Sequence, residues 1–424
     1  MKITIIALGT RGDVQPYVAL GLGLKAAGHD VRLASINVFE KFVSSQGLNF
    51  ASLGGISQEF GERVQAVKNR STLAFHGLLG RVSWWRIFAS GFERLLSNYW
   101  DVCQGAEAIV YSQLAFPAYH IAEKLRLPCF AAYTHPITRT RAFPYALYTS
   151  NFHLDSNFNW LTYICEEQIC WQFTRKKINQ WRRATLSLPP IPLTGIYPQQ
   201  QQQQMPILYC YSPAVIPKPT DWPDWAHITG YWFLDRSPNW QPPGELIHFL
   251  ESGSPPIYIG FGSRNDYNPD AMTELVLSAL AKTGQRCILL TGQGGLGNTN
   301  LPDNILKIES VPFDWLFPQV AGVIHHGGAG TMAAALRAGV PSFVTPFAAD
   351  QPFWGEQVAK LGAGYPPIPG KKLTVEGLVA AIEALTNDER MKARALALGE
   401  KIRSEDGVAR AVELFHRYLP SYKG

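Results

Sequence analysis

The side chains best suited to chemistry lie in His325-His326-Gly327-Gly328-Ala329-Gly330-Thr331 and, further along, Asp350-Gln351-Pro352. Val323-Ile324 closes a short apolar run that reads as a buried strand, and the glycines then turn the chain into a helix over Met332–Ala338. Such a turn presents backbone N–H groups at the positive end of the helix dipole, which suits a diphosphate. Gly327, Gly328 and Gly330, with Ala329 between them, let the backbone approach phosphate oxygens closely. His325 or His326 can donate a further hydrogen bond, and Thr331 can supply a hydroxyl. Pro341–Pro346 reads as the next apolar strand, with Asp350-Gln351 just past its end. A carboxylate beside an amide offers both acceptors and donors to vicinal sugar hydroxyls. A phosphate cradle followed by a hydroxyl clamp is what a nucleotide sugar needs. Glycine-rich strand-to-helix turns also occur in many α/β proteins, so the downstream pair is what sharpens the reading.

A second candidate is the turn Gly9-Thr10-Arg11-Gly12-Asp13-Val14-Gln15-Pro16. Asp13 stands at the carboxyl end of a first strand, Ile3–Leu8, where ligands gather in open parallel sheets. It also precedes a helix expected over Gln15–Ala27, so it could serve only as an N-cap. His135 and His76 are alternative bases that spacing does not exclude.

The elements that must position these residues alternate. Val31–Ile36, Leu48–Leu53, Ala108–Ser112 and Cys129–Tyr133 read as further strands, with a helix over Ala118–Leu125. Ile257–Gly260, Arg286–Leu290, Ile305–Ile308, Gly322–His325 and Pro341–Val344 repeat the pattern. Strand–helix alternation implies parallel sheets with crossovers. Pro- and Trp-rich chain from Trp222 to Pro243 suits a boundary. The expected organisation is an N-terminal domain over 1–235, a C-terminal domain over 236–400, and a helical tail over 401–424 packing back on the first. Two such domains would face each other across a cleft lined by the carboxyl ends of both sheets.

Trp84, Ile87, Phe88 and Leu95 recur at helical spacing. They fit a core-facing helix, the wall of an apolar cavity, or a surface that touches lipid. A second aromatic helix over Trp160–Trp181 has the same three readings. Gln199–Gln204 reads as a solvated loop without chemistry.

At 424 residues, two domains are the natural division, and 46% hydrophobic residues support large interiors. A net charge of +5 without a dense Lys/Arg block argues against nucleic acid and fits an anionic donor or an acidic membrane surface. The six cysteines lack CxxC spacing and read as free thiols. Ile3–Leu8 is too short for a secretory signal core, and no run is long enough for a membrane span, so the expectation is a cytoplasmic protein, with peripheral membrane contact possible. Gly292-Gln293-Gly294-Gly295-Leu296-Gly297 fits G-x-G-x-x-G, but Asn298-Thr299-Asn300-Leu301-Pro302 cannot open the helix that a dinucleotide fingerprint requires. There is no D-x-D triplet and no zinc-like spacing, so no metal or cofactor is expected.

The Gly9–Pro16 turn, Ser212-Pro213 with Pro217-Lys218-Pro219, Asp221-Trp222-Pro223, Thr229-Gly230-Tyr231-Trp232, Gly260-Phe261-Gly262-Ser263, Val311-Pro312 with Asp314-Trp315-Leu316-Phe317-Pro318, the double-histidine segment and Asp350-Gln351-Pro352-Phe353-Trp354 together resemble the UDP-glycosyltransferase family with the GT-B fold. The likeness is strongest to sterol 3-beta-glucosyltransferases and their bacterial relatives. Thr138-Arg139-Thr140-Arg141 belongs to the same pattern. The resemblance implies two Rossmann-like doubly wound domains and inverting transfer of a hexose, glucose from UDP-glucose, to a hydroxyl of a sterol, carotenoid, lipid or polyketide. By the same resemblance Asp13 is the base, where plant members carry histidine. Thr10, Arg11, Gly12, Ser263, Val311, His325, the Gly327–Thr331 turn, Asp350 and Gln351 hold the donor. Trp84, Phe88, His135 and Arg139 are assigned to the acceptor. Ala333 stands where many plant members place a ribose-binding glutamate, which keeps a deoxythymidine diphosphate donor open. A nucleotide-sugar-binding protein without turnover is the other alternative.

Overall fold

The computed structural model describes residues 1–55, 82–83, 85–87, 92–148, 155–261, 269–290 and 301–419. The chain divides into two compact units, one of 1–213, 217–234 and 406–424, the other of 214–216 and 235–405. Trp84, Phe88, His76, Ser263 and the Gly292–Gly297 loop lie outside the described residues. No helix among the described residues is long and apolar enough to cross a membrane.

In the first unit β1 (Lys2–Ile6), α1 (Arg11–Ala26), β2 (Asp30–Ser35), α2 (Glu40–Ser45), β3 (Asn49–Ser52), α3 (Phe92–Val102), β4 (Ala108–Tyr111), α4 (Ala118–Leu125), β5 (Cys129–Tyr133), α5 (Ser156–Ala184), α6 (Tyr197–Gln202), β6 (Ile207–Tyr209) and β7 (Ala226–Ile228) follow in order. The strands form one parallel sheet in the order β3-β2-β1-β4-β5-β6-β7. Helices cover both faces, so the central strands are nearly all apolar; β4 is buried at each of its positions.

The second unit holds α7 (Gly244–Glu251), β8 (Ile257–Gly260), α8 (Pro269–Thr283), β9 (Cys287–Leu290), β10 (Ile305–Ile308), α9 (Phe313–Leu316), β11 (Gly322–His325), α10 (Ala329–Ala338), β12 (Ser342–Val344), α11 (Gln351–Lys360), β13 (Gly364–Tyr365), α12 (Val375–Asn387) and α13 (Glu389–Arg403). Its parallel sheet runs β10-β9-β8-β11-β12-β13. The chain then returns to the first unit as α14 (Gly407–Tyr418), which packs on α1. Gly23 of α1 makes room for Val408, and Phe415 meets Phe130 of β5 at 4.6 Å between ring centres.

Strand order reverses beside β1 and β4 in one sheet and beside β8 and β11 in the other. Such switch points open a crevice at the carboxyl ends of the strands. The turn after β1 carries Gly9–Asp13, and the turn after β11 carries His326–Gly328. Both candidate segments therefore sit where sheet topology leaves backbone accessible.

Three expectations need correction. Helix α1 starts at Arg11 rather than Gln15, so Thr10 is the N-cap and Asp13 lies within the first turn. Helix α10 starts at Ala329 rather than Met332, which places Ala329, Gly330 and Thr331 in its first turn. The glutamine run is largely helical, not a loop. Pro198 sits at the start of α6, where proline is tolerated, and glutamine is a good helix former. Gln200 Nε2 donates to the Tyr111 hydroxyl at 3.2 Å, and Tyr119 donates to Gln203 Oε1 at 2.9 Å. That run is a bracket on α4 and β4 rather than solvated chain.

Candidate active site

In the first unit the turn after β1 is built around a carboxylate. Ser112 Oγ accepts from the Leu8 N–H at 3.1 Å and holds the exit of the strand. Thr10 then caps α1, and Asp13 Oδ2 accepts from both the Thr10 N–H at 2.7 Å and the Thr10 hydroxyl at 2.9 Å. Gly9 has φ +138, and a Cβ there would come within 2.6 Å of Asp13 Cβ and Cγ. Glycine is needed for the dihedral and for the space, because the Asp13 side chain folds over it. Asp13 is partly exposed, while Thr10, Arg11 and Gly12 are exposed. The Arg11 guanidinium lies 4.8 Å from the centre of the Phe42 ring. Tyr17, one turn further, is buried and donates to the Ala132 carbonyl at 2.6 Å. Burial pushes the Cys210 thiol up to about 12, its own backbone partly opposes this, and the negative charge of Asp13 adds to the rise.

The motif Thr138–Arg141 is pinned to Asp221-Trp222. Thr140 Oγ1 and the Arg141 N–H donate to Asp221 at 2.6 and 2.8 Å, and the Trp222 indole donates to the Thr138 carbonyl at 3.1 Å. Two motifs far apart in sequence are thus halves of one fastening. Arg139 Nε donates to both oxygens of Glu167 at 3.0 and 3.2 Å, and its guanidinium stacks 3.7 Å from the Tyr197 ring centre. Its charge is matched inside the unit, joining α5 to the start of α6. His135 is 8% exposed and meets Tyr145 edge-on at 6.2 Å.

In the second unit, His325 ends β11 and is fully buried. Its Nδ1 accepts from the Gly327 N–H at 3.1 Å. Burial, then neighbouring His326, lowers its pKa to about 3, so the ring is neutral near pH 7. With Nδ1 accepting, the proton belongs on Nε2, which is buried without a hydrogen-bond partner among the described residues. An imidazole N–H so placed is a donor awaiting an acceptor.

Gly327 has φ +89, and a Cβ would lie 2.7 Å from Val344 Cγ1 and 3.0 Å from the Gln351 carbonyl oxygen. Only glycine lets the turn pass this close to the start of α11. Gly328 is the N-cap of α10, followed by Ala329, Gly330 and Thr331, whose N–H groups precede the first intrahelical donor. A Cβ on Gly330 would meet no atom of the described residues within 4 Å. Packing therefore does not demand this glycine, whereas close approach of a diphosphate would. Gly330→Ala should keep or raise the melting temperature, since alanine favours a helix by about 1 kcal/mol over glycine. It should raise the donor KM about tenfold, equivalent to about 1.4 kcal/mol of lost phosphate contact. Thermal melts and donor saturation curves on the variant check both halves.

Asp350 and Gln351 are less available than their sequence suggests. Gln351 is 7% exposed, and its Oε1 accepts from the Phe347 and Ala348 N–H groups at 2.8 and 3.1 Å. Asp350 Oδ2 accepts from the Trp354 indole at 2.8 Å. Each side chain spends an oxygen on shaping its own turn, in which Ala349 adopts φ +56. Val311 precedes α9, partly buried among Tyr258, Phe317 and their neighbours. Ala333 is 4% exposed inside α10. No group of three or more His, Cys, Asp or Glu among the described residues is placed to hold a metal ion.

The description "Glycosyltransferase family 28 N-terminal domain" matches residues 3–144, and "Erythromycin biosynthesis protein CIII-like, C-terminal domain" matches 274–413. The sterol 3-beta-glucosyltransferases of Emericella nidulans and Penicillium rubens are each 40% identical to this chain over 99% of its length. The chain has the GT-B fold. It spans 30% of the length of those two curated relatives. Among solved structures, the chain resembles the glycotransferase of kitacinnamycin, with a TM-score of 0.74, 19% identity and 99% of each chain covered. It also resembles the calicheamicin glycosyltransferase CalG4, at 0.71 and 18%, covering 99% of this chain and 98% of the other. These two likenesses are of fold, and agree with the doubly wound sheets expected from strand–helix alternation.

Reading the sequence by motif missed how Thr10 holds Asp13. The signal was present, because Thr10-Arg11-Gly12-Asp13 is an [ST]-x-x-[DE] helix start.

Proposed function

We propose that the chain is an inverting hexosyltransferase that moves glucose from UDP-glucose to the hydroxyl of an apolar acceptor of the sterol type. The observation that carries this reading is the donor set at the start of α10. A neutral buried imidazole, its Nε2–H unclaimed among the described residues, precedes the N–H groups of Ala329, Gly330 and Thr331. Such a set binds a diphosphate in the ground state and stabilises the charge it gains on leaving. Asp13 accepts the proton of the acceptor hydroxyl as its oxygen attacks C1 from the face opposite the diphosphate. One base and no covalent intermediate suit inversion. Asp350 and the amide N–H₂ of Gln351 grip the sugar hydroxyls, and Val311 serves the nucleotide base through its backbone. The names of the curated relatives support the choice of glucose and of a sterol-like acceptor. The reaction we propose needs no metal or cofactor. Six free thiols fit a reducing compartment such as the cytoplasm.

The test is release of nucleoside diphosphate from UDP-glucose, without added metal, across sterol, carotenoid, lipid and polyketide alcohols. Acceptor-dependent release is expected with sterols. Binding of UDP-glucose with no release under any acceptor would point to a protein without turnover. Absence of UDP binding together with turnover of a deoxythymidine diphosphate sugar would overturn the donor assignment, and Ala333, with no carboxylate for the ribose, would be its cause.

A further inference from the structure

Helix α5 is 29 residues long, about 43 Å at 1.5 Å per residue. Its inner face is a mixture of Tyr163, Trp171, Ile178 and Trp181 with Asn159, Thr162, Glu166 and Arg182. Its outer face is unusual in the opposite sense. Phe158 and Leu161, one turn apart near its start, are 43% and 48% exposed. Leu193, 61% exposed, lies alongside, because its carbonyl accepts from Gln172 at 3.1 Å and the Thr194 carbonyl accepts from Gln168 at 3.2 Å. Gln168 and Gln172 continue the row begun by Leu161 at helical spacing, and Lys176 and Arg183 extend the same face.

The charge on this surface has one dominant sign. The acids of α5 point inward: Glu166 is buried and accepts from the Trp85 indole at 3.1 Å, and Glu167 is paired with Arg139. Lys176 and Arg183 are exposed, with Arg175 and Lys177 partly so. The adjoining chain from Ala184 to Ile216 has no Asp, Glu, Lys or Arg at all. Asp155, which caps the helix start, is the acid at its apolar end.

We propose that this face of α5, with Leu193, is the surface by which the first unit rests on a bilayer carrying anionic headgroups. Phe158, Leu161 and Leu193 enter the boundary between headgroups and acyl chains, and the cations further along the helix meet lipid phosphates. The inference rests on the reading of an apolar acceptor, since a substrate dissolved in a bilayer must be met there. It differs from that reading in needing no turnover.

The experiment is flotation of the purified chain with phosphatidylcholine vesicles, with and without phosphatidylglycerol, at low and high salt. Co-flotation is expected with the anionic vesicles at low salt. Phe158→Ser/Leu161→Ser/Leu193→Ser and Lys176→Glu/Arg183→Glu should each reduce it by about tenfold or more. Both variants should retain the melting temperature and the diphosphate release given a water-soluble alcohol. Three outcomes overturn the proposal: no flotation of the unaltered chain, equal flotation of the triple variant, or a dimer in sedimentation velocity that the triple variant abolishes. Flotation in a chain that never turns over UDP-glucose would sink the catalytic reading and leave this one standing.

Discussion

Asp13→Asn lowers turnover about 100- to 10,000-fold, the range for losing a general base, and leaves donor affinity unchanged. The amide is isosteric, and its oxygen can still accept from the Thr10 N–H and hydroxyl, so the first turn of α1 keeps its shape. What is lost is the ability to take a proton. Steady-state diphosphate release and calorimetric donor binding, measured side by side, separate the two effects. Near-normal turnover with intact binding would remove Asp13 from the mechanism and return attention to His135. Gly9→Ala provides a companion test by a different route. It keeps the carboxylate chemically intact but forces it off Gly9, so it should lose turnover while leaving donor binding unchanged.

His325→Asn lowers kcat/KM about 100- to 1,000-fold, as for removal of one preorganised donor from a charge-stabilising site. Asparagine is the informative choice, because its side-chain oxygen can replace Nδ1 as acceptor for the Gly327 N–H but nothing replaces Nε2–H. Rescue by His325→Gln, which reaches further, would support the Nε2 assignment, whereas wild-type kinetics in His325→Asn would refute it. The same residue sets a pH dependence of stability. In the unfolded chain its pKa is about 6.5, and in the folded unit it is about 3. Between these values the unfolded state holds the extra proton, so stability falls as pH drops from about 6.5 towards 3. Melting temperatures from neutral to mildly acidic pH should slope less steeply in His325→Asn than in the unaltered chain.

Ten of the thirteen described strands were legible, because both sheets are covered on both faces, which turns β4, β5, β8 and β11 into short, largely apolar runs, whereas β6, β7 and β13, of two or three residues each, were not read. Helix starts were not. Arg11-Gly12-Asp13 and Ala329-Gly330-Thr331 contain no apolar period, and two glycines lie among them, yet in each case the chain is already helical. Their conformation is set by caps and by the strand that delivers them. In the candidate site, residue types and spacing were legible, but their internal commitments were hidden. Gln351 holds Phe347 and Ala348, and Arg139 holds Glu167; the first is a short-range turn bond, the second spans different segments brought together by packing. Periodicity carries no trace of such partners. The glutamine run failed for the same reason, since low complexity conceals the hydroxyls of Tyr111 and Tyr119 waiting on other elements.

The return of α14 to the first unit has a consequence for biosynthesis. Leu24 of α1 and Phe130 of β5 share a core with Ala411, Leu414 and Phe415. Everything the second unit needs has emerged by residue 405. A ribosome making this chain therefore exposes nearly all of the first unit early but withholds the piece that seals it. The part translated first is the part finished last, and through that interval its open face is a natural client for chaperones.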